Sequence, residues 1–151
     1  MPTQNEHPEG RAIATVATNG VSTIPWWIRI AVCLGALLTG AGAVIALVNP
    51  AMLVSPQDAI NGAVHIYAGY LASRNFALAI LLLALLGLGA KRALGNLMAF
   101  VALVQFFDAG MDCIEGRWTI APGVLVFGLV FLAGAAKLSG YPLWKRESWE
   151  R

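Results

Sequence analysis

Four long apolar runs alternate with short polar ones along this chain: Pro25 to Val48, Ala63 to Ala90, Ala93 to Met111 and Ile120 to Leu138. About 20 apolar residues in a helix cross a hydrocarbon core of about 30 Å, and each run reaches or approaches that length. The pattern predicts an all-α membrane protein, a bundle of four transmembrane helices spanning residues 23–141. Met1 to Val21 is polar, carries Pro, Gly, Asn and Glu, and has no sustained periodicity, so residues 1–22 are expected to be a disordered tail. Residues 142–151 are expected to form a second tail. The first run continues through Gly42 to Val48, which is too long for the apolar stretch of a cleaved secretory signal, so it reads as a retained span.

Capping signals refine the ends of the runs. Thr23 reads as the cap of the first helix, with Pro25 in its first turn, where a missing N–H costs nothing. Trp26 and Trp27 suit the headgroup level, and Arg29 can snorkel toward water. Between the first two runs, Ser55-Pro56 reads as a cap followed by a first-turn proline. Either a short interfacial helix starts there or the second span does. Thr119 and Pro122 form a similar signal opening the fourth span.

Composition agrees with this reading: hydrophobic residues make up 58% of the chain and charged ones 12%, outside the range of a soluble domain. The net charge of +2 matters less than where the charges fall. With four spans, Arg11, Arg29, Lys91, Arg92, Lys137, Lys145, Arg146 and Arg151 share one side, and Arg117 is the only basic loop residue on the other. The positive-inside bias therefore predicts cytoplasmic N and C termini and a cytoplasmic Lys91 hairpin in a multi-pass membrane protein. Tyr141, Trp144 and Trp149 extend the inner aromatic belt, and Trp118 marks the outer one.

Two charges break the apolar runs. Arg74 lies 17 residues before Lys91, and Asp108 lies 16 residues after Arg92. Both then stand about 25 Å from the inner hairpin, at 1.5 Å per residue. The short linker makes spans two and three antiparallel neighbours, so the two are expected to meet as an ion pair buried in the outer third of the bilayer. Neither charge is tolerated alone in hydrocarbon. Tyr67, Tyr70, Arg74, Ala77 and Leu81 follow one helical stripe, and Gln105, Asp108 and Asp112 another. Tyr70 and Asp112 are level one turn further out, His65 lies nearer the headgroups, and Asn75 points away from the Arg74 stripe. The expectation is a polar, outward-opening pocket with Arg74 and Asp108 at its base, Gln105 beside them, and Tyr70, Asp112 and His65 toward its mouth. The plain alternative is that Arg74 and Asp108 only lock spans two and three together.

Other chemistry is thinly represented. His7 and His65 are far apart and no carboxylate–histidine cluster exists, so neither a metal nor a two-histidine haem site is expected. No cofactor is expected, and neither a phosphate loop nor a basic nucleic-acid surface is present. Cys33 and Cys113 fall toward opposite faces, and no CxxC occurs. Phe100, Phe106, Phe107, Phe127 and Phe131 read as packing or lipid-facing residues. Gly35, Gly40, Gly42, Gly128 and Gly134 allow close helix approach, although no strict GxxxG marks a dimer seam.

The Arg29-Ile30 start of the first span, its Gly-rich continuation, the Ala72 to Ala79 stretch around Arg74, and Phe107-Asp108-Ala109 resemble the DoxX-like small membrane proteins of bacteria. The resemblance covers about Trp26 to Leu138. It implies a four-helix bundle in a bacterial inner membrane, often an accessory subunit or a protein of unknown activity, and supplies no catalytic set. Asn75 stands where an acid more often follows the arginine.

Three functions follow from the residues. The leading expectation is a non-enzymatic protein whose pocket binds a membrane lipid, a small lipophilic or amphipathic molecule, or a partner membrane subunit, including another copy of itself. The alternative is a small membrane enzyme, an isomerase, cyclase or hydrolase of a lipophilic substrate, with Asp108 or Asp112 as acid/base and Arg74 and Tyr70 as orienting groups. A third is a proton-coupled exporter resembling the small four-helix multidrug transporters, although the acid those carry in the first span is missing here.

Overall fold

The computed structural model describes residues 23–54 and 59–140. The two expected tails, with Tyr141, Trp144 and Trp149, and the Ser55-Pro56 cap lie outside the described residues. Within them are four α-helices and no strand: α1 (Trp26–Val48), α2 (Gly62–Gly87), α3 (Lys91–Ile114) and α4 (Ala121–Ser139), with a short 3-10 turn at Pro50–Leu53. All four helices are long and apolar enough to cross a membrane.

The ends of the helices differ from the sequence expectations for local reasons. Helix α1 begins after Pro25, whose extended ψ of 141° keeps it outside; its carbonyl accepts the N–H groups of Ile28 and Arg29. Thr23 is therefore not the cap. Arg29 donates its Nε to the Ile24 carbonyl at 3.2 Å and so holds the incoming chain against the helix. Helix α2 is capped by Asn61, whose side-chain oxygen accepts from the backbone N–H of Ala63 and Val64 at 3.0 and 3.2 Å. Helix α4 has Ile120 at its N-cap with no side-chain bond, so Thr119 does not fill that role either. Helix α3 outruns its apolar core at both ends, taking in Lys91 and Arg92 at the start and Asp112 to Ile114 at the finish.

Both α2 and α3 stop in the same way. Gly89 (φ 65°) and Gly116 (φ 74°) adopt the left-handed conformation that glycine reaches without a steric penalty. After α2, the N–H of Ala90 bonds back to Leu85 and that of Gly89 to Leu86. After α3, Arg117 bonds to Asp112 and Gly116 to Cys113 in the same register. This paired closure satisfies the last carbonyls of each helix and turns the chain sharply.

The closest helix packing is α3 against α4, then α1 against α2; the α2–α3 and α1–α4 approaches are sparser. Spans two and three are neighbours, as expected, but each packs more extensively on its other partner. Small residues explain the pairing. Ala43 and Ala46 of α1 meet Ala68 and Ala72 of α2 in a cluster without a large side chain at its centre. On the α3–α4 seam, a Cβ built at Gly128 would come within 3.0 Å of Phe106, and one at Gly95 within 3.2 Å of Leu138. Such contacts let backbones approach where no hydrophobic force separates helix from lipid.

The large core lies at the end of the bundle carrying the α2–α3 turn. There Ile28, Leu82, Leu94, Met98 and Phe131 are fully buried, and side chains from all four helices interlock. Toward the other end, where the α1–α2 and α3–α4 connections lie, the two hairpins are held internally by their small residues and a space opens between them.

Candidate functional site

The space between the hairpins is a cavity of about 390 Å³ lined by all four helices. Its floor is Leu78 of α2 and Val101 of α3, both part of the large core. Leu38 and Thr39 line it from α1, and Gly123, Val124 and Phe127 from α4. Helix α2 contributes Leu71, Arg74, Asn75 and Leu78, and α3 contributes Val101, Val104, Gln105 and Asp108. Both quartets have the spacing i, i+3, i+4, i+7, a single helical face.

Arg74 and Asp108 face each other across this cavity, with Nη2 and Oδ2 3.5 Å apart. The separation is that of an ion pair rather than a short charge-assisted hydrogen bond. Their side chains are 45% and 43% exposed. The meeting of the two helices at one depth is as the residue counting predicts, but burial of the pair is not. Because α2 packs chiefly on α1, and α3 on α4, the pair lines an opening instead of lying inside a closed seam. The guanidinium and the carboxylate therefore keep hydrogen-bonding capacity that can be turned on a guest.

The polar lining is completed by two carboxamides and a hydroxyl. Gln105 is half-buried on the Asp108 face, as expected. Asn75 is also in the lining, contrary to the reading that it points away. Its Nδ2 lies toward α1, 3.7 Å from where a Cβ would stand on Gly42. The signal for Asn75 was present as the Leu71/Arg74/Asn75/Leu78 spacing, which competes with the stripe through Tyr70 and runs closer to the cavity axis.

The outer members of the expected pocket lie elsewhere. Tyr70 is 73% exposed and, with His65, Ile66, Gly69 and Ser73, borders a separate shallow depression on α2. Neither Tyr70 nor His65 lines the cavity; the stripe through them diverges from the face that meets α3. Asp112 is held by Arg117, whose Nε stands 3.5 Å from Oδ1, and Arg117 also reaches Glu115 at 3.2 Å. These three residues tie the α3–α4 turn and leave Asp108 as the carboxylate of the cavity.

Phe127 is the aromatic member of the lining, tilted against Phe131 with ring centroids 4.8 Å apart. Both rings lie over Gly35, where a Cβ would come within 2.5 Å of Phe131 and 3.0 Å of Phe127. No set of three His, Cys, Asp or Glu side chains converges to hold a metal among the described residues. The arrangement offers opposite charges, two amides, the Thr39 hydroxyl and an otherwise apolar wall, which is the equipment for binding a molecule with a polar end and an apolar body. The chain matches no known family model, no curated protein and no solved structure.

Proposed function

We propose that the protein is a membrane-embedded receptor for a small amphipathic molecule or lipid, whose polar end occupies the cavity between the two helix hairpins. The observation that carries the reading is the Arg74–Asp108 pair, 3.5 Å apart and nearly half exposed into a cavity of ligand-binding size. The two charges cancel, so a guest with a net charge would leave an unbalanced charge in hydrocarbon. A net-neutral polar head fits best, and a zwitterion can meet both partners at once, with its anionic group on Arg74 and its cationic group on Asp108.

The positive residues set the orientation in this reading: both termini and the Lys91 turn lie in the cytoplasm of a bacterium, and the cavity belongs to the outer half of its inner membrane. The test is native mass spectrometry of protein released gently from its membrane. Wild type is expected to retain a bound amphiphile that Arg74→Gln loses. Equal retention by the two would end the proposal.

A further inference from the structure

A second opening adjoins the cavity. Between α1 and α4 runs a groove of about 600 Å³ lined by Trp27, Ile30, Leu34, Val126 and Val130, with no charged side chain in it. Gly123 and Phe127 belong to both linings, so the groove and the polar cavity adjoin along one turn of α4. A Cβ on Gly123 would meet nothing within 4 Å, so the bare backbone there leaves the passage open.

The direction of the groove identifies what it can take. The cavity lies in the half of the bundle away from the α2–α3 turn. From Gly123 the groove descends past Val126 and Val130 toward Trp27, at the turn end of α1. Pro122 to Val130 spans about 12 Å of helix. A lipid in the leaflet on the cavity side has its head toward that surface and its chain toward the bilayer midplane. Along α1 the cavity is lined at Leu38 and Thr39 and the groove from Leu34 down to Trp27, in that same order and direction; along α4 the two share the turn from Gly123 to Phe127 and the groove runs on to Val130.

We infer that the ligand is a single-chain amphiphile whose acyl chain leaves the cavity at Gly123 and Phe127 and lies in the α1–α4 groove, reaching toward Trp27. The inference rests on the proposed function and adds the ligand class and its path. One chain is specified because the two linings have only Gly123 and Phe127 in common, one turn of a single helix. The wall of the groove is exposed to lipid, so the chain can slide in sideways from the bilayer without opening the core.

The test uses lysophosphatidylethanolamine, a single-chain zwitterion, added to the full chain in nanodiscs of dimyristoylphosphatidylcholine. Trp26, Trp118, Trp144 and Trp149 are replaced by phenylalanine so that Trp27 is the only indole. A hexadecanoyl probe brominated in the distal part of its chain is expected to quench Trp27 saturably, and the unbrominated lipid to reverse it by competition. A hexanoyl probe is expected to bind without quenching. Val126→Phe fills the groove from the lipid side at a residue outside the cavity; it should weaken the hexadecanoyl probe by about tenfold while keeping the hexanoyl one. Gly123→Leu should close the passage and abolish quenching. If the hexanoyl probe binds but the long chain neither quenches Trp27 nor responds to Val126→Phe, the path is wrong and the cavity reading stands. If neither probe binds, both fall.

Discussion

Arg74 on α2 and Asp108 on α3 stand 3.5 Å apart although their helices are not the pair that packs most closely. The ion pair therefore bridges two hairpins held together mainly at the opposite end. Either substitution alone leaves an unmatched charge beside hydrocarbon, whereas replacing both removes it. Arg74→Gln and Asp108→Asn are each expected to destabilise the bundle, and the double variant by less than the sum. Because both side chains are nearly half exposed, the coupling should be about 1 kcal/mol, below that of a sealed pair. Reversible unfolding of the four proteins in mixed micelles measures it; additive losses would show that the pair contributes nothing jointly.

The two membrane carboxylates should separate by function. Asp108 lines the cavity, while Asp112 is bound to Arg117 in the α3–α4 turn. Asp108→Asn is expected to lose the retained amphiphile, and Asp112→Asn to keep it with only a small fall in thermal midpoint. Native mass spectra of both variants, run beside a melting curve, decide this. Loss in Asp112→Asn alone would move the site to the turn.

Glycines of the same helix should respond in opposite ways. At Gly35 a methyl group would drive into the rigid rings of Phe131 and Phe127, whereas at Gly40 it would meet nothing within 4 Å. Gly35→Ala is expected to cost about 1–3 kcal/mol by overpacking and to shift the Phe127 wall of the cavity. Gly40→Ala should be neutral or slightly stabilising. Denaturant titration of the two variants gives the comparison, and equal effects would contradict the packing described for α1 on α4.

Asn61 is expected to matter more than its exposed position implies. Its oxygen satisfies two N–H groups that open α2, a helix long and apolar enough to cross a membrane, where unpaired N–H groups are costly. Asn61→Ala should cost about 0.5–2 kcal/mol, and Asn61→Asp much less. Amide hydrogen exchange at Ala63 and Val64 reports the loss locally, and unchanged exchange in Asn61→Ala would remove the cap from the account.

The spans were legible because an apolar run of helical length has few other uses, and the shared depth of Arg74 and Asp108 followed from counting along two helices joined by a tight turn. The helix ends were less so. Lys91 and Arg92 read as the connection between spans two and three, and the third apolar run stops at Met111, yet α3 takes in both residues and continues to Ile114, because polar side chains do not interrupt backbone hydrogen bonding. Gly89 and Gly116 marked the stops of α2 and α3 more reliably than the charges did. The extent of each helix contact was not legible: a short linker makes α2 and α3 neighbours, but Ala43, Ala46, Ala68 and Ala72 decide which surfaces close most tightly. Arg74 belongs to two helical stripes, one through Tyr70 and one through Leu71, Asn75 and Leu78, and the second is the one that lines the cavity, which leaves Tyr70 and His65 outside it and brings Asn75 in.

The covalent link between the two hairpins, the Gly89 turn, lies at the end where Leu82, Leu94 and Phe131 interlock; the other two connections stay within a hairpin. Among the described residues no backbone hydrogen bond joins the hairpins at the cavity end. The molecule is thus constructed like a pair of tweezers, with a stiff pivot at the turn and the Arg74–Asp108 ion pair bridging the tips. A guest that takes over either charge loosens that clasp as it arrives, so occupancy and the separation of the tips become one coordinate.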